Sequence, residues 1–145
     1  MSDITTVILA AGNSTRFKAS KSKLVYPLCG LPIVSHIFNI AKKISGKNIL
    51  VVSNEKNKEE LKLILNTSKL VVQKKQKGTA DAIEQVKKYV KSKNILILFG
   101  DTPLVEVKDI RKLVSKFKKS KAKASLIAFN TSKPHGYGRL SLIHI

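Results

Sequence analysis

Short apolar runs alternate along the chain with stretches whose apolar residues recur every three or four positions. Ile4 to Ala10 is apolar on both faces and is predicted as a buried strand. Ile33 to Ile44 is predicted as a helix, with Ile33, Ile37, Ile40, Ala41 and Ile44 on one face. Asn48 to Val52 follows as a strand, Glu55 to Leu65 as a helix with Leu61, Ile64 and Leu65 inward, and Leu70 to Val72 as a short strand. Thr79 to Lys91 is helical, with Ala82, Ile83, Val86, Tyr89 and Val90 on one side. Ile95 to Phe99 is a fourth strand, and Val107 to Lys118 is a helix through Ile110, Leu113, Val114 and Phe117. Ala124 to Phe129 and Arg139 to Ile145 are expected as a fifth and a sixth strand.

Strands without a polar face, separated by amphipathic helices, imply βαβ units. The expected fold class is therefore α/β, Rossmann-like, a mostly parallel sheet with helices on both faces. The 145 residues suit one domain spanning 1–145. No apolar run approaches the roughly 20 residues that cross a bilayer. Met1-Ser2-Asp3 has no basic character, so no signal peptide is read. Cys29 is the single cysteine, which rules out an internal disulfide and suits a reducing cytoplasm. Cys29, His36, His135 and His144 do not fall at zinc-ligand spacing.

The net charge is +19, from 28 basic and 9 acidic residues. Arg16, Arg111 and Arg139 are the only arginines. Nucleic-acid readers favour Arg for its fork of donors. The lysines here, such as Lys87, Lys88, Lys91, Lys116, Lys118 and Lys119, sit along helical segments. They read as solvated helix faces rather than as a nucleic-acid surface.

Three of the polar loops follow a strand directly, where open α/β sheets place ligands. The first is Leu9-Ala10-Ala11-Gly12-Asn13-Ser14-Thr15-Arg16-Phe17. Its small residues admit a ligand close to the backbone, and Arg16 and Lys23 offer charge to phosphate oxygens. It is neither a Walker A loop nor a dinucleotide fingerprint. An ordinary strand-to-helix turn also accounts for it. The second loop begins at Gln73, whose amide suits a base edge, and ends at Gly78-Thr79, with Thr79 expected to cap the next helix. A plain polar loop would look the same. The third, Phe99-Gly100-Asp101-Thr102-Pro103-Leu104, puts a carboxylate at the tip of a buried strand. Either Mg²⁺ on substrate phosphates or a simple Asx turn explains it. Near the end, Pro134-His135-Gly136-Tyr137-Gly138-Arg139 is either a close approach to a ligand or a flexible hairpin.

Taken together and in order, these loops resemble the uridylyltransferase domain of N-acetylglucosamine-1-phosphate uridylyltransferases. That domain belongs to a wider nucleotidyltransferase group that includes molybdenum cofactor guanylyltransferases. Leu9 to Phe17 with Ser22-Lys23 looks like the family's L-A-A-G-x-G-T-R-M and P-K. Gln73, Gln76, Gly78 and Thr79 match Q-x-x-Q-x-G-T, Gly100 to Leu104 match G-D-x-P-L, and Gly136 to Arg139 match G-Y-G-R. The resemblance implies that UTP and a sugar 1-phosphate are the substrates and Mg²⁺ the cofactor. It implies that Leu9, Ala10, Ala11, Gly12, Gln73, Gly78 and Thr79 hold the nucleoside side. Arg16 and Lys23 would act on the triphosphate, Asp101 would ligate the metal, and Gly138 would touch the sugar. A guanylyl or other NTP transferase, or a noncatalytic basic module that binds RNA, are the alternatives. Ser14, Phe17, Ser22 and Asp81 stand where the family has glycine, methionine, proline and often histidine. The family pattern continues past Ile145 with further sugar and metal residues, so this chain is expected to bind UTP with Mg²⁺ and to turn over poorly.

Overall fold

The structure is a computed structural model and describes residues 3–13, 17, 21–66, 69–133, 135–138 and 140. Four parallel strands form the main sheet: β1 (Ile4–Leu9), β4 (Ile49–Ser53), β5 (Lys69–Val72) and β6 (Asn94–Phe99), in the order β5-β4-β1-β6. β1 pairs along its whole length with β6, Ile4 facing Asn94 and Leu9 facing Phe99. On its other side Thr6 to Leu9 face Ile49 to Val52. Two strands that the apolar pattern does not predict, β2 (Pro27–Leu28) and β3 (Leu31–Pro32), make a tiny antiparallel hairpin. Its turn residues Cys29 and Gly30 both have positive φ, 49° and 80°.

Helices cover both faces, as the pattern implied. α1 (Ile33–Ser45) lies on the face that carries Thr6, where the Ser45 hydroxyl donates to Thr6 Oγ1 at 2.8 Å. α3 (Thr79–Val86) lies on the opposite face, its Ala82 and Val86 packed with Val7, Leu50 and Val52. The α1 stripe is turned slightly from the expected one: Val34 and Phe38 are buried with Ile37, Ile40 and Ala41, while Ile33 and Ile44 are only half-buried. α2 (Lys58–Ile64) begins later than expected, because Asn54 and Asn57 are taken up by a turn before it. α3 ends at Val86, and a 3-10 turn, Lys87–Tyr89, replaces its predicted last turn. α4 (Val107–Lys119) buries Ile110.

By internal contacts the chain divides into residues 1–111 and residues 112–145. The first unit holds both sheets. In the second, the end of α4 is closed by Ser120, whose N–H donates to the Lys116 and Phe117 carbonyls. The chain then runs without regular structure, and Phe129 meets Tyr137 edge to face at 5.2 Å. The strand expected over Ala124 to Phe129 does not form: those residues are exposed and have no ladder. A strand needs a partner for its N–H and C=O groups, and no strand is present among the described residues of this unit. The strand expected over Arg139 to Ile145 falls outside the described residues except Leu140, which carries no regular structure. Lys87 and Lys88 in the turn after α3, Lys91 beyond it, and Lys116, Lys118 and Lys119 at the end of α4 are exposed, in keeping with solvated faces.

Candidate functional site

β1 lies in the middle of the sheet. The chain leaves it towards β4 and β5, then returns to β6 on its other side. Beyond the carboxyl ends of strands, such a reversal of direction leaves a crevice. A cleft of about 310 Å³ occupies it, lined among others by Leu9, Ala10, Ala11, Gly12, Lys23, Gln73, Gln76, Gly78, Thr79 and Asp101. Three strand-end loops that lie far apart in sequence therefore meet in one place, as their positions implied. The lining residues all belong to the first unit, whereas Gly138 belongs to the second. Arg16 lies outside the described residues.

The first loop is held from behind. Asn57 Nδ2 donates to the Ala10 carbonyl at 2.8 Å, and Asn54 Nδ2 to the Ala11 carbonyl at 3.0 Å. The two asparagines lock each other: each side-chain oxygen accepts the other's backbone N–H, at 2.9 and 3.0 Å. Both are buried. Gln76 Nε2 also donates to the Ala11 carbonyl, at 3.1 Å. Binding these carbonyls removes acceptors that would repel an anion at the strand end. Ala10 itself donates to the Val52 carbonyl, fixing the loop to β4. A Cβ added at Gly12 would meet no protein atom within 4 Å.

Gln76 also pairs with Asn13. Its Nε2 donates to Asn13 Oδ1 at 2.9 Å, and Asn13 Nδ2 donates back to Gln76 Oε1. The pair ties the first loop to the loop after β5. The sequence assigns Asn13 no role beyond its place in the first loop and gives none to Asn54 or Asn57; the signal available for the last two was an Asn-x-x-Asn one residue after the second predicted strand.

The loop after β5 opens with Gln73, whose side chain is buried and whose N–H donates to the Ser53 carbonyl. Its Nε2 donates to the Gly78 carbonyl at 3.2 Å and to Asp81 Oδ2 at 2.6 Å. Gly78, not Thr79, is the N-cap of α3, and no side chain caps that helix. The reason is backbone shape: Gly78 has φ +105° and ψ −176°, a conformation essentially restricted to glycine. The uncapped first turn leaves helix N–H donors at the mouth of the cleft.

On the β6 side, Gly100 donates its N–H to the Leu9 carbonyl at 2.9 Å. A Cβ at Gly100 would stand 3.2 Å from that carbonyl oxygen, which explains the glycine. Asp101 then pairs with Lys23, Nζ to Oδ2 at 2.8 Å, both side chains partly exposed. Lys23 opens a 3-10 turn (Lys23–Val25) capped by the Ser22 hydroxyl, which accepts from the Leu24 N–H at 3.4 Å. His36 contacts the Leu28 carbonyl through Nε2 at 2.8 Å and takes no part in the cleft.

The family model for MobA-like NTP transferase domains matches residues 6–141. The bifunctional protein GlmU of Buchnera aphidicola subsp. Schizaphis graminum is 41% identical over 140 residues, covering 95% of this chain and 30% of that protein. GlmU of Campylobacter fetus subsp. fetus is 39% identical over 147 residues, covering 98% of this chain and 33% of that one. The chain thus spans about a third of the length of the curated relatives it matches. The solved structure of bifunctional IspDF from Campylobacter jejuni superposes with a TM-score of 0.68 at 20% identity, over 80% of this chain and 31% of that one. At that identity the likeness concerns the fold.

Proposed function

The chain belongs to the MobA-like NTP transferase domain family, and from that premise we propose that its cleft binds UTP for transfer of the uridylyl group to N-acetylglucosamine 1-phosphate. One observation carries the reading. A buried amide at Gln73 and an exposed Lys23–Asp101 ion pair line the same crevice, with the Ala11-Gly12 turn between the strands that bear them. Those are the groups a nucleoside triphosphate needs at its base, its backbone-hugging middle and its phosphates.

In this reading the sugar phosphate oxygen attacks the α-phosphorus of UTP in line, and pyrophosphate leaves. The nucleophile is already an anion, so no strong general base is required. The chain's task is alignment and charge neutralisation. Ala10, Ala11, Gly12, Gln73, Gly78 and Thr79 hold the nucleoside. Lys23 and Arg16 receive the phosphates, and Gly138 serves the sugar.

Asp101 is the proposed Mg²⁺ ligand. No group of three or more His, Cys, Asp or Glu side chains gathers among the described residues. A single exposed carboxylate suits a Mg²⁺ shared with substrate phosphates and waters rather than a free-standing metal site. A Mg²⁺ held by Asp101 would supply neutralisation of charge on the triphosphate. Lys23 is the ion-pair partner of Asp101, and its ammonium is the group that would receive a phosphate. No helix among the described residues is long and apolar enough to cross a membrane. A cytoplasmic location fits a protein that draws on UTP.

Titration of UTP with and without Mg²⁺ tests the reading. Mg²⁺ is expected to tighten UTP binding about tenfold in the wild type, a charge-assisted gain of roughly 1.4 kcal/mol. Asp101→Asn is expected to abolish that gain. No Mg²⁺ effect in the wild type, or the same gain in the variant, would remove Asp101 and the metal from the site.

A further inference from the structure

We propose that Asp81 is the residue that sets base specificity in this cleft, by fixing which end of the Gln73 amide a nucleotide meets; the inference rests on the nucleotide-binding reading above. Gln73 Nε2 lies 3.2 Å from the Gly78 carbonyl oxygen and 2.6 Å from Asp81 Oδ2. A peptide carbonyl and a carboxylate only accept hydrogen bonds. The amide atom between them must therefore be the NH₂ group. Reversing the amide would set its carbonyl oxygen against two acceptors at those same distances, one of them charged. The bond to a carboxylate is also the stronger kind.

With both Nε2 hydrogens engaged, the amide has one group left for a ligand, the acceptor Oε1. Gln73 lines the cleft and is 4% exposed, held by its backbone bond to Ser53 and by Gly78, so its rotamer has little freedom. A buried acceptor selects a base that brings a donor. The imide N3–H of uracil is such a donor. Cytosine carries a lone pair at the same ring position, and two lone pairs facing each other leave both unsatisfied. A glutamine free to rotate could serve either base, donating through Nε2 to cytosine N3 or accepting through Oε1 from uracil N3–H. Asp81 removes that choice. It touches no base in this account and acts through Gln73, so it is a positioning residue.

The test is a calorimetric titration of the whole chain with UTP, CTP and 3-methyl-UTP, for the wild type and Asp81→Ala. The wild type is expected to bind UTP about tenfold or more tightly than CTP and 3-methyl-UTP. Asp81→Ala is expected to bring UTP and CTP to within about threefold, chiefly by improving CTP, a change that a general loss of structure would not produce. Equal UTP and CTP affinity in the wild type, or discrimination unchanged in Asp81→Ala, overturns the role of Asp81 and leaves the nucleotide site standing. Failure of the wild type to bind any of the three overturns the nucleotide reading itself. Should Asp81→Ala not fold, the wild-type comparison of UTP with 3-methyl-UTP still decides: equal affinity shows that no imide N–H meets Oε1.

Discussion

The two walls of the cleft are built on opposite principles. The wall behind Ala10 and Ala11 is buried and uncharged: Asn54 and Asn57 hold backbone carbonyls and each other, and every amide hydrogen bond described there stays inside the protein. The wall at Lys23 and Asp101 is an ion pair with 35% and 45% of the two side chains exposed. Buried hydrogen-bonded groups are costly to leave unpaired, whereas an exposed ion pair contributes about 0–1 kcal/mol. One wall therefore cannot change partners cheaply and the other can. A nucleotide needs both: a fixed surface for its nucleoside, and charges that can leave each other for phosphate and metal.

The difference can be broken from either side. The largest effect on stability is expected from Asn57→Ala. It strips the Ala10 carbonyl and the Asn54 N–H of their partner in a buried place, at about 3 kcal/mol for the two groups together. Urea unfolding would show it, and a loss below about 1 kcal/mol would mean that the asparagine pair does not hold the loop. Next comes Gly78→Ala, expected to cost about 2 kcal/mol from backbone strain at φ +105°. The space around it is open, so a stable alanine variant would show that the loop can adopt another backbone path. Smallest is Lys23→Ala, expected to change stability by less than about 1 kcal/mol. A larger loss would place this lysine with the structural wall rather than the exchangeable one.

The elements legible in the sequence were those whose apolar residues had one neighbour environment. β1 and β4 are apolar runs inside the sheet, and their ends were read to within a residue; so were those of β6, though it stands at the sheet's edge among the described residues and buries only Leu96 and Leu98 while Ile95, Ile97 and Phe99 stay exposed. The Ile95 to Phe99 and Ala124 to Phe129 runs look alike as strings, yet only the first finds a strand to pair with. Pattern reports what a segment can bury, not whether a partner exists for its backbone. The β2-β3 hairpin was missed because two-residue strands carry no period. The cleft itself was legible as small and polar residues at strand ends. Its supports were not, because Asn54, Asn57 and Asp81 act by distances to residues far away in the chain or by closing a turn. Asn57 reaches Ala10 across 47 positions.

Lys23, in the exchangeable wall, should matter little to folding and much to binding. The direct measurement is calorimetric titration of Mg²⁺-UTP into the wild type and Lys23→Ala at the same salt concentration. Loss of a charge-assisted phosphate contact worth roughly 1.5–3 kcal/mol predicts at least about tenfold weaker binding in the variant, with unfolding nearly unchanged. Equal affinity of the two proteins would contradict the assignment of this cleft to a nucleoside triphosphate.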